Sequence, residues 1–196
     1  MTLAIVRYDD VAPQPWKNGG GVTRDLLAWP SPADWQLRIS VAEVARGGPF
    51  SAYPGVQRWF AVAQGAGVLL QFGEKLTKLN TDSEPLQFDG ADAPGCELVA
   101  GATLDLNLMA QRSSGHAQMA RALPGVPWID EKAPLRALFT ARPAELILDG
   151  RLVATLPAMS MAWTGAATGR SWSLGHDGQD GRTPLAWWLS FTPNRA

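Results

Sequence analysis

The sequence has 196 residues, with 17 Lys and Arg against 18 Asp and Glu, and a formal net charge of -1. This balance gives no bulk electrostatic reason to expect a nucleic-acid partner. Its apolar runs are too short to cross a bilayer, and the N-terminus lacks the basic and apolar regions of a secretory signal. We therefore expect a cytoplasmic globular protein with no membrane association, formed by one domain or by two small halves that share a core.

Glycine, proline and tryptophan are the most informative residue types. The chain holds 20 Gly, 15 Pro and nine Trp, against two Tyr and six Phe. Many turn-forming residues together with many large apolar side chains favour short strands joined by turns. No window of 12 or more residues shows helical periodicity behind a cap. The composition predicts an all-β fold with little helix.

Alternation of apolar and polar residues locates the strands. In chain order, the predicted strands lie at residues 35–41, 58–72 with a hairpin turn at 64–67, 103–109, 145–156 with a hairpin turn at 149–150, and 183–191. Strands spaced about 8–12 residues apart indicate a sandwich or a jelly-roll barrel. A compositional change near residue 110 divides the chain into two β halves, residues 1–110 with the expected pocket and residues 111–196 packed on the first half.

Residues 15–25 form the segment with the most unusual composition. Three consecutive glycines, at positions 19–21, let the backbone approach a neighbour or a ligand closely. Donors for a carboxylate or amide surround them. The candidate ligand-binding residues of this segment are Trp16, Lys17, Asn18, Gly19, Gly20, Thr23 and Arg24. A wide turn that leads into a strand is the alternative interpretation, and the pattern of a phosphate loop is absent.

A second cluster of polar residues occupies positions 40–58. By the same alternation, Glu43 falls on the apolar face of the predicted strand at 35–41. We therefore expect its carboxylate either in an ion pair or lining a wet cavity. Arg58 opens the next strand and is a candidate partner for Glu43 or for a ligand. A structural Glu43–Arg58 pair and an arginine clamp on a carboxylate both fit this pattern.

The remaining candidates are few. Asp105 and Asn107 stand two residues apart in a predicted strand and therefore share a face, which in the alternative interpretation is solvated. His116 and His176 have no third ligand spaced for a metal site. The single cysteine, Cys96, cannot form an intramolecular disulfide and has no adjacent base. We expect neither a metal nor a cofactor.

These motifs resemble the HutD/Ves family. The matching pieces, in the family's order, are Pro-Trp-Lys-Asn-Gly-Gly-Gly-Val-Thr-Arg (15–24), Arg-Ile-Ser-Val-Ala-Glu-Val (38–44), Gly-Pro-Phe-Ser-Ala-Tyr-Pro-Gly-Val-Gln-Arg (48–58) and Asp-Leu-Asn-Leu-Met (105–109). The resemblance implies a cupin-type, jelly-roll bicupin with two β-barrel halves in one compact chain. It also implies a link to bacterial histidine utilization, whose intermediates include formylglutamate and urocanate, and on the Ves side a link to stress response.

The first functional hypothesis is a metal-independent protein that binds a small carboxylate of this pathway and thereby modulates histidine utilization. Arg58 and Arg24 would pair with the carboxylate, and Glu43 would orient an arginine or accept a hydrogen bond from the ligand. The complete set of site residues is Trp16, Lys17, Asn18, Gly19, Gly20, Thr23, Arg24, Glu43, Phe50, Ser51, Arg58, Asp105 and Asn107.

Two other hypotheses remain open at this point. The first is a metal-independent hydrolase or isomerase with Glu43 as general base, although no activated nucleophile stands beside it. The second is an interaction module whose exposed tryptophans contact a regulatory protein or a second copy in a homodimer. The sequence favours a binding protein over an enzyme.

Overall fold

The computed structural model describes residues 3–129, 133–165, 171–175 and 183–194. The chain divides into two compact units, which we call the N-terminal unit (Val11–His116) and the C-terminal unit (Met1–Asp10 with Ala117–Ala196). Regular structure in the described residues is almost entirely β, with two short 3-10 helices. The predicted all-β fold with little helix is therefore confirmed. None of the helices in the described ranges has the length and hydropathy needed to cross a membrane.

The elements follow one another closely along the chain. The 3-10 helices are Tyr8–Asp10 and Gly90–Asp92. The strands are β1 (Ala4–Arg7), β2 (Gln14–Pro15), β3 (Gly21–Trp29), β4 (Leu37–Val44), β5 (Gly48–Pro49), β6 (Val56–Gln64), β7 (Val68–Phe72), β8 (Lys75–Leu79), β9 (Leu86–Asp89), β10 (Gly95–Leu98), β11 (Thr103–Gln111), β12 (Gly115–Ala122), β13 (Leu135–Thr140), β14 (Ala144–Leu148), β15 (Arg151–Leu156), β16 (Ser160–Thr164), β17 (Trp172–Gly175) and β18 (Ala186–Pro193).

The N-terminal unit consists of two antiparallel sheets. One sheet has six strands in the order β2-β3-β4-β11-β6-β9, and the other has four in the order β5-β10-β7-β8. Buried side chains from both sheets form one core: Ala42, Val44, Phe60, Val62, Val68, Leu70, Leu79, Phe88 and Cys96. Each large apolar side chain buried in this way stabilises the fold by about 1.5–3 kcal/mol. The strand pairing does not close either sheet into a barrel within the described residues, so the bicupin arrangement stays a prediction.

The C-terminal unit has a five-stranded sheet, β1-β16-β13-β18-β12, and a three-stranded sheet, β15-β14-β17. Tryptophans fill its interior: Trp172, Trp187 and Trp188 are buried. The ring of Trp128 stacks on that of Trp188, with centroids 5.2 Å apart and an interplanar angle of 6°. These side chains therefore stabilise the core of the unit, and the tryptophan surface expected for an interaction module does not include them.

Two details differ from the sequence predictions. The first ten residues belong to the C-terminal unit because β1 pairs with β16, whereas the predicted boundary placed them in the first half. The predicted hairpin turn at 64–67 is wrong, because β6 and β7 lie in different sheets and the turn connects those sheets. The hairpin at Asp149 and Gly150 is confirmed: β14 pairs with β15, and both turn residues have positive φ.

Strand β4 is buried on both faces. Leu37, Ile39 and Val41 have no exposed surface on one face, and Ser40 and Ala42 are also buried on the other. Because both faces are covered, the alternation of apolar and polar side chains along this strand does not reveal which face borders a cavity. This ambiguity determines which of the predicted site residues meet.

Candidate functional site

A cavity of about 580 Å³ opens in the N-terminal unit. This volume lies within the range of about 300–1,000 Å³ found for small-molecule sites. The charged lining residues are Lys17, Arg38 and Arg58, the aromatic ones are Trp16, Phe50, Tyr53 and Phe60, and the uncharged polar ones are Gln14, Asn18, Thr23, Ser40, Ser51 and Asn107. Three cations and no carboxylate border the cavity within the described residues, so its lining favours an anion.

Antiparallel register sets two arginines side by side on the cavity face. Met109 of β11 is the Cα partner of Arg38 on β4 and of Arg58 on β6. At about 4.8 Å between neighbouring strands, the two arginine Cα atoms lie about 10 Å apart with Met109 between them. We call Arg38, Met109 and Arg58 the arginine row. Asn107, two residues away on β11, shares its face.

Arg58 is almost fully buried, with 6% of its surface exposed. Its Nη2 donates a hydrogen bond to Oδ1 of Asn107 at 3.0 Å, and its Nη1 makes a long one, 3.4 Å, to the carbonyl oxygen of Ser51. Its buried Nε has no partner. No Asp or Glu in the described ranges forms an ion pair with Arg58. The guanidinium is therefore a buried cation whose counter-charge the fold does not supply.

Three aromatic rings surround the Arg58 guanidinium. The Cζ atom of Arg58 lies 5.2 Å from the ring centroid of Phe50, 5.8 Å from that of Tyr53 and 5.0 Å from that of Phe88. Such rings attract a cation through their quadrupole without neutralising it. Burial lowers the pKa of Arg58 to about 10, Tyr53 partly opposes this shift, and the positive charge of Arg38 adds to it. Arg58 nevertheless stays protonated at neutral pH.

Arg38 has a carboxylate partner, in contrast to Arg58. Its Nε donates to Oδ1 of Asp25 at 2.7 Å, and Gln14 Nε2 donates to Oδ2 of the same carboxylate at 3.2 Å. Burial disfavours the charged form of Arg38, but the hydrogen bond and charge of Asp25, with a further contribution from Tyr53, outweigh it and raise the pKa. Sequence reasoning missed Arg38 as a site residue. A sequence feature that could have identified Arg38 is its position in an alternating strand, where it shares a face with Ser40 two residues later.

The β2–β3 hairpin carries three further predicted residues, Trp16, Lys17 and Asn18, to the cavity. The indole Nε1 of Trp16 donates to Oγ1 of Thr23 at 2.8 Å, which fixes the ring as a cavity wall. The backbone N–H of Gly20 donates to Oδ1 of Asn18 at 3.0 Å. Gly19 and Gly20 therefore shape the turn, and neither lines the cavity.

Gly21 is required by close packing of backbone against backbone. A Cβ at this position would lie 2.1 Å from the carbonyl oxygen of Glu43 and 3.3 Å from the Trp16 ring. We expect Gly21→Ala to lower the free energy of unfolding by about 1–3 kcal/mol, measured by urea denaturation. Gly95→Ala is the matched control, because its Cβ would meet only the Gln71 side chain at 3.7 Å. Equal losses in the two variants would contradict this interpretation.

Two residues expected in the site lie on the opposite face of the sheet. Arg24 is the Cα partner of Val41, and Glu43 is the Cα partner of Val22. Both side chains therefore lie on the sheet face that points away from the cavity. Arg24 Nη1 instead donates to the carbonyl oxygen of Val11. The expectation that Arg24 clamps a ligand in this cavity, or that Glu43 acts there as general base, is not met. The physical reason is that the polar face of β4 borders the cavity.

Asp105 lies on the cavity face but does not line the cavity. Its side chain is fully buried, Thr103 Oγ1 donates to its Oδ2 at 2.7 Å, and its Oδ1 has no partner. Burial raises the pKa of Asp105 to about 7, although the hydrogen bond from Thr103 opposes this shift. The carboxyl group is therefore a buried acid that stands beside Asn107 but cannot contact a ligand directly.

From the sequence, we expect neither a nucleophile at Cys96 nor a metal site at the two histidines. Burial raises the pKa of the Cys96 thiol to about 12, and the charges of Asp105 and Glu97 add to the shift. His116 lies on β12, and His176 falls outside the described residues. In the part of the chain that the structure describes, no group of three His, Cys, Asp or Glu residues could hold a metal ion.

Comparison with known proteins identifies relatives of this chain. A family model described as HutD matches residues 8–174. Protein Ves from Citrobacter koseri is 31% identical over 119 residues, which is 58% of this chain and 62% of that protein. A 21.2 kDa protein in the hutC 3′ region of Pseudomonas putida is 33% identical over 111 residues, 55% of this chain and 57% of that protein. The chain thus matches less than two thirds of the length of these curated relatives.

Several solved structures have a fold similar to that of this chain. HutD from Pseudomonas fluorescens SBW25, in a formate condition, is 24% identical with a TM-score of 0.83, and the match covers 99% of this chain and 100% of that one. Lactobacillus farciminis oxalate decarboxylase, as a formate complex, is 10% identical with a TM-score of 0.62, over 98% of this chain and 87% of that one. These likenesses show a cupin-like fold.

Proposed function

Because the chain belongs to the HutD family, we propose that its cavity binds a small organic carboxylate of histidine utilization through Arg58. The observation that carries this proposal is the buried Arg58 guanidinium, which borders the cavity without a carboxylate partner in the described residues. Leaving a charge buried and unpaired costs several kcal/mol. A carboxylate ligand would supply the missing counter-charge through strong, charge-assisted hydrogen bonds.

The shape and lining of the cavity support a ligand larger than a bare carboxylate. Its volume of about 580 Å³ leaves room beyond the arginine row, where Asn18, Thr23 and Ser40 offer neutral hydrogen bonds and Trp16 offers an apolar wall. The family resemblance suggests two candidates: urocanate, which carries one carboxylate and an imidazole, and formylglutamate, which carries two carboxylates and an amide. The relative in the hutC 3′ region links the family to histidine utilization.

Binding is better supported than turnover. No Asp, Glu, His or Cys lines the cavity among the described residues, and Glu43 faces away from it. Histidine and carboxylate groups are the side chains that most often act as general acid or base, and the titratable groups at this cavity, arginines aside, are instead Lys17 and Tyr53. A regulatory effect of the bound ligand on the pathway, a cytoplasmic location, a protein partner and a homodimer remain predictions from the sequence.

Calorimetric titration of the protein with histidine, urocanate, formiminoglutamate and formylglutamate tests the proposed function. We expect one of the compounds to bind with a micromolar Kd, which corresponds to about -8 kcal/mol. Arg58→Ala should abolish this binding. The matched control, Arg112→Ala, removes an exposed arginine that pairs with Asp89 at 3.0 Å and should leave the Kd unchanged. If none of the four compounds binds, the proposed ligand class is wrong.

A further inference from the structure

The Asp25–Arg38 ion pair carries an inference that rests on the proposed function and deepens it. We propose that Asp25 determines the charge selectivity of the cavity by neutralising Arg38, so that the arginine row accepts one carboxylate rather than two. Asp25 does not line the cavity, whereas Arg38 does. The carboxylate would therefore act on a ligand through Arg38, as a positioning and specificity-determining residue.

Asp25 is the Cα partner of Ser40, so it lies on the cavity side of the sheet, next to Arg38. It borders a smaller hollow of about 190 Å³ together with Arg38 and Gln14, and these two residues also line the cavity. The Asp25 carboxylate accepts hydrogen bonds from both Arg38 Nε and Gln14 Nε2. These bonds hold its negative charge next to the Arg38 guanidinium. Because Arg38 lines the cavity and Asp25 does not, a ligand there would contact the guanidinium of Arg38 rather than the carboxylate of Asp25.

The two arginines are close enough for their charges to add. Both are Cα partners of Met109, and the positive charge of Arg38 contributes to the lowered pKa of Arg58. With Asp25 present, the arginine row carries one uncompensated positive charge. Without it, the row would carry two, and a second carboxylate on the same ligand would find a partner there.

Comparison of two ligands that differ by one charge tests this proposal. Glutarate has two carboxylates, and glutaramate has the same length with one carboxylate replaced by an amide. We expect Asp25→Asn to raise the affinity of glutarate relative to glutaramate by about tenfold, measured by calorimetry. Lys17, which is exposed and also lines the cavity, contributes equally before and after the substitution and cancels in this ratio.

Further variants separate charge from structural damage. Arg38→Gln should lower the glutarate-to-glutaramate ratio below that of the wild type, whereas the double variant with Asp25→Asn and Arg38→Gln should return it to the wild-type value, because both charges are then gone. Asp89→Asn removes an equal charge from the exposed pair with Arg112 and should leave the ratio unchanged. Melting curves establish that each variant is folded.

Each outcome assigns the failure to one hypothesis. If the wild type binds neither probe and none of the four compounds of the calorimetric titration, the proposed carboxylate function is wrong. If the wild type binds and Asp25→Asn leaves the ratio unchanged, or shifts it no more than Asp89→Asn does, the selectivity role of Asp25 is wrong while the carboxylate site stands. A double variant that keeps the ratio of Asp25→Asn would also overturn this role.

Discussion

Replacement of Arg58 by methionine is expected to abolish carboxylate binding and at the same time to raise the free energy of unfolding. Burial lowers the pKa of Arg58 from its ordinary value to about 10, so the charged form is less stable in the folded protein. At 1.36 kcal/mol for each pKa unit, this penalty is on the order of 3 kcal/mol. Since the folded pKa is the lower one, the penalty is fully present below about pH 10 and disappears as the pH rises towards the ordinary pKa of arginine.

Methionine retains much of the length of the arginine stem and packs well against aromatic rings such as those of Phe50 and Phe88. The substitution removes the hydrogen bonds to Asn107 and to the Ser51 carbonyl. Water in the cavity can replace them, because both acceptors belong to residues that line it. The expected net gain in stability is about 1–2 kcal/mol.

Urea denaturation and ligand titration on the same Arg58→Met sample separate a functional role from a structural one. Arg112→Met is the control, since that arginine is exposed and should change neither quantity by much. Loss of binding together with equal or greater stability fits a residue kept for its ligand. A large loss of stability with unchanged binding would instead show that Arg58 organises the fold.

Asp105→Asn is expected to remove a large part of the pH dependence of stability. The folded pKa of Asp105 is about 7, raised by burial from an ordinary value of 3.8. The folded state holds the proton of Asp105 more tightly than the unfolded state does. The contribution of this group to the free energy of unfolding is therefore greatest below about pH 4 and falls as the pH rises to 7. The shift corresponds to a loss on the order of 4 kcal/mol by pH 8. Asparagine is neutral throughout and can accept the hydrogen bond from Thr103.

The difference in unfolding free energy between wild type and Asp105→Asn, measured at pH 5 and pH 8, isolates this one group. We expect the variant to gain stability relative to the wild type between the two values, by more than 1 kcal/mol. Asp89→Asn controls for an exposed carboxylate and should show no comparable change. A difference between wild type and Asp105→Asn that is the same at both pH values would contradict the raised pKa.

Much of the candidate site could be predicted because its residues stand in segments of unusual composition. Trp16, Asn18, Arg58 and Asn107 come from three separate segments, and the sheet of the N-terminal unit brings all of them to one cavity. Glycine-rich turns, buried charges and paired polar residues are rare enough for their clustering to indicate a site. Composition alone therefore located the segments that meet.

Which face of each strand borders the cavity could not be predicted. Glu43 and Arg38 lie on opposite faces of β4, and apolar alternation pointed to the face that carries Glu43. On that face Leu37, Ile39 and Val41 are fully buried. The β4 residues that line the cavity belong to the other face: Arg38, Ser40, Ala42 and Val44. A shift by one residue exchanges the two faces, and the correct one depends on register with β3 and β11, which local pattern does not contain.

The same limit explains the turn at 64–67. A short glycine-containing connection fits a hairpin and a link between two sheets equally well, and the partners of β6 and β7 decide between them. Those partners, β11 and β9 for β6 and β10 and β8 for β7, lie later in the sequence. Whether this connection is a hairpin turn or a link between sheets is therefore decided by long-range strand pairing, which local alternation does not contain.

The most direct test of a carboxylate site at Arg58 is a crystal structure of the protein soaked with the compound that binds most tightly in the calorimetric screen. We expect the ligand carboxylate to lie in the cavity, with an oxygen about 2.7–3.0 Å from the Arg58 guanidinium. The rest of the ligand should extend towards Trp16 and Asn18 of the β2–β3 hairpin. A ligand bound outside this cavity, with only water beside Arg58, would contradict the proposed function.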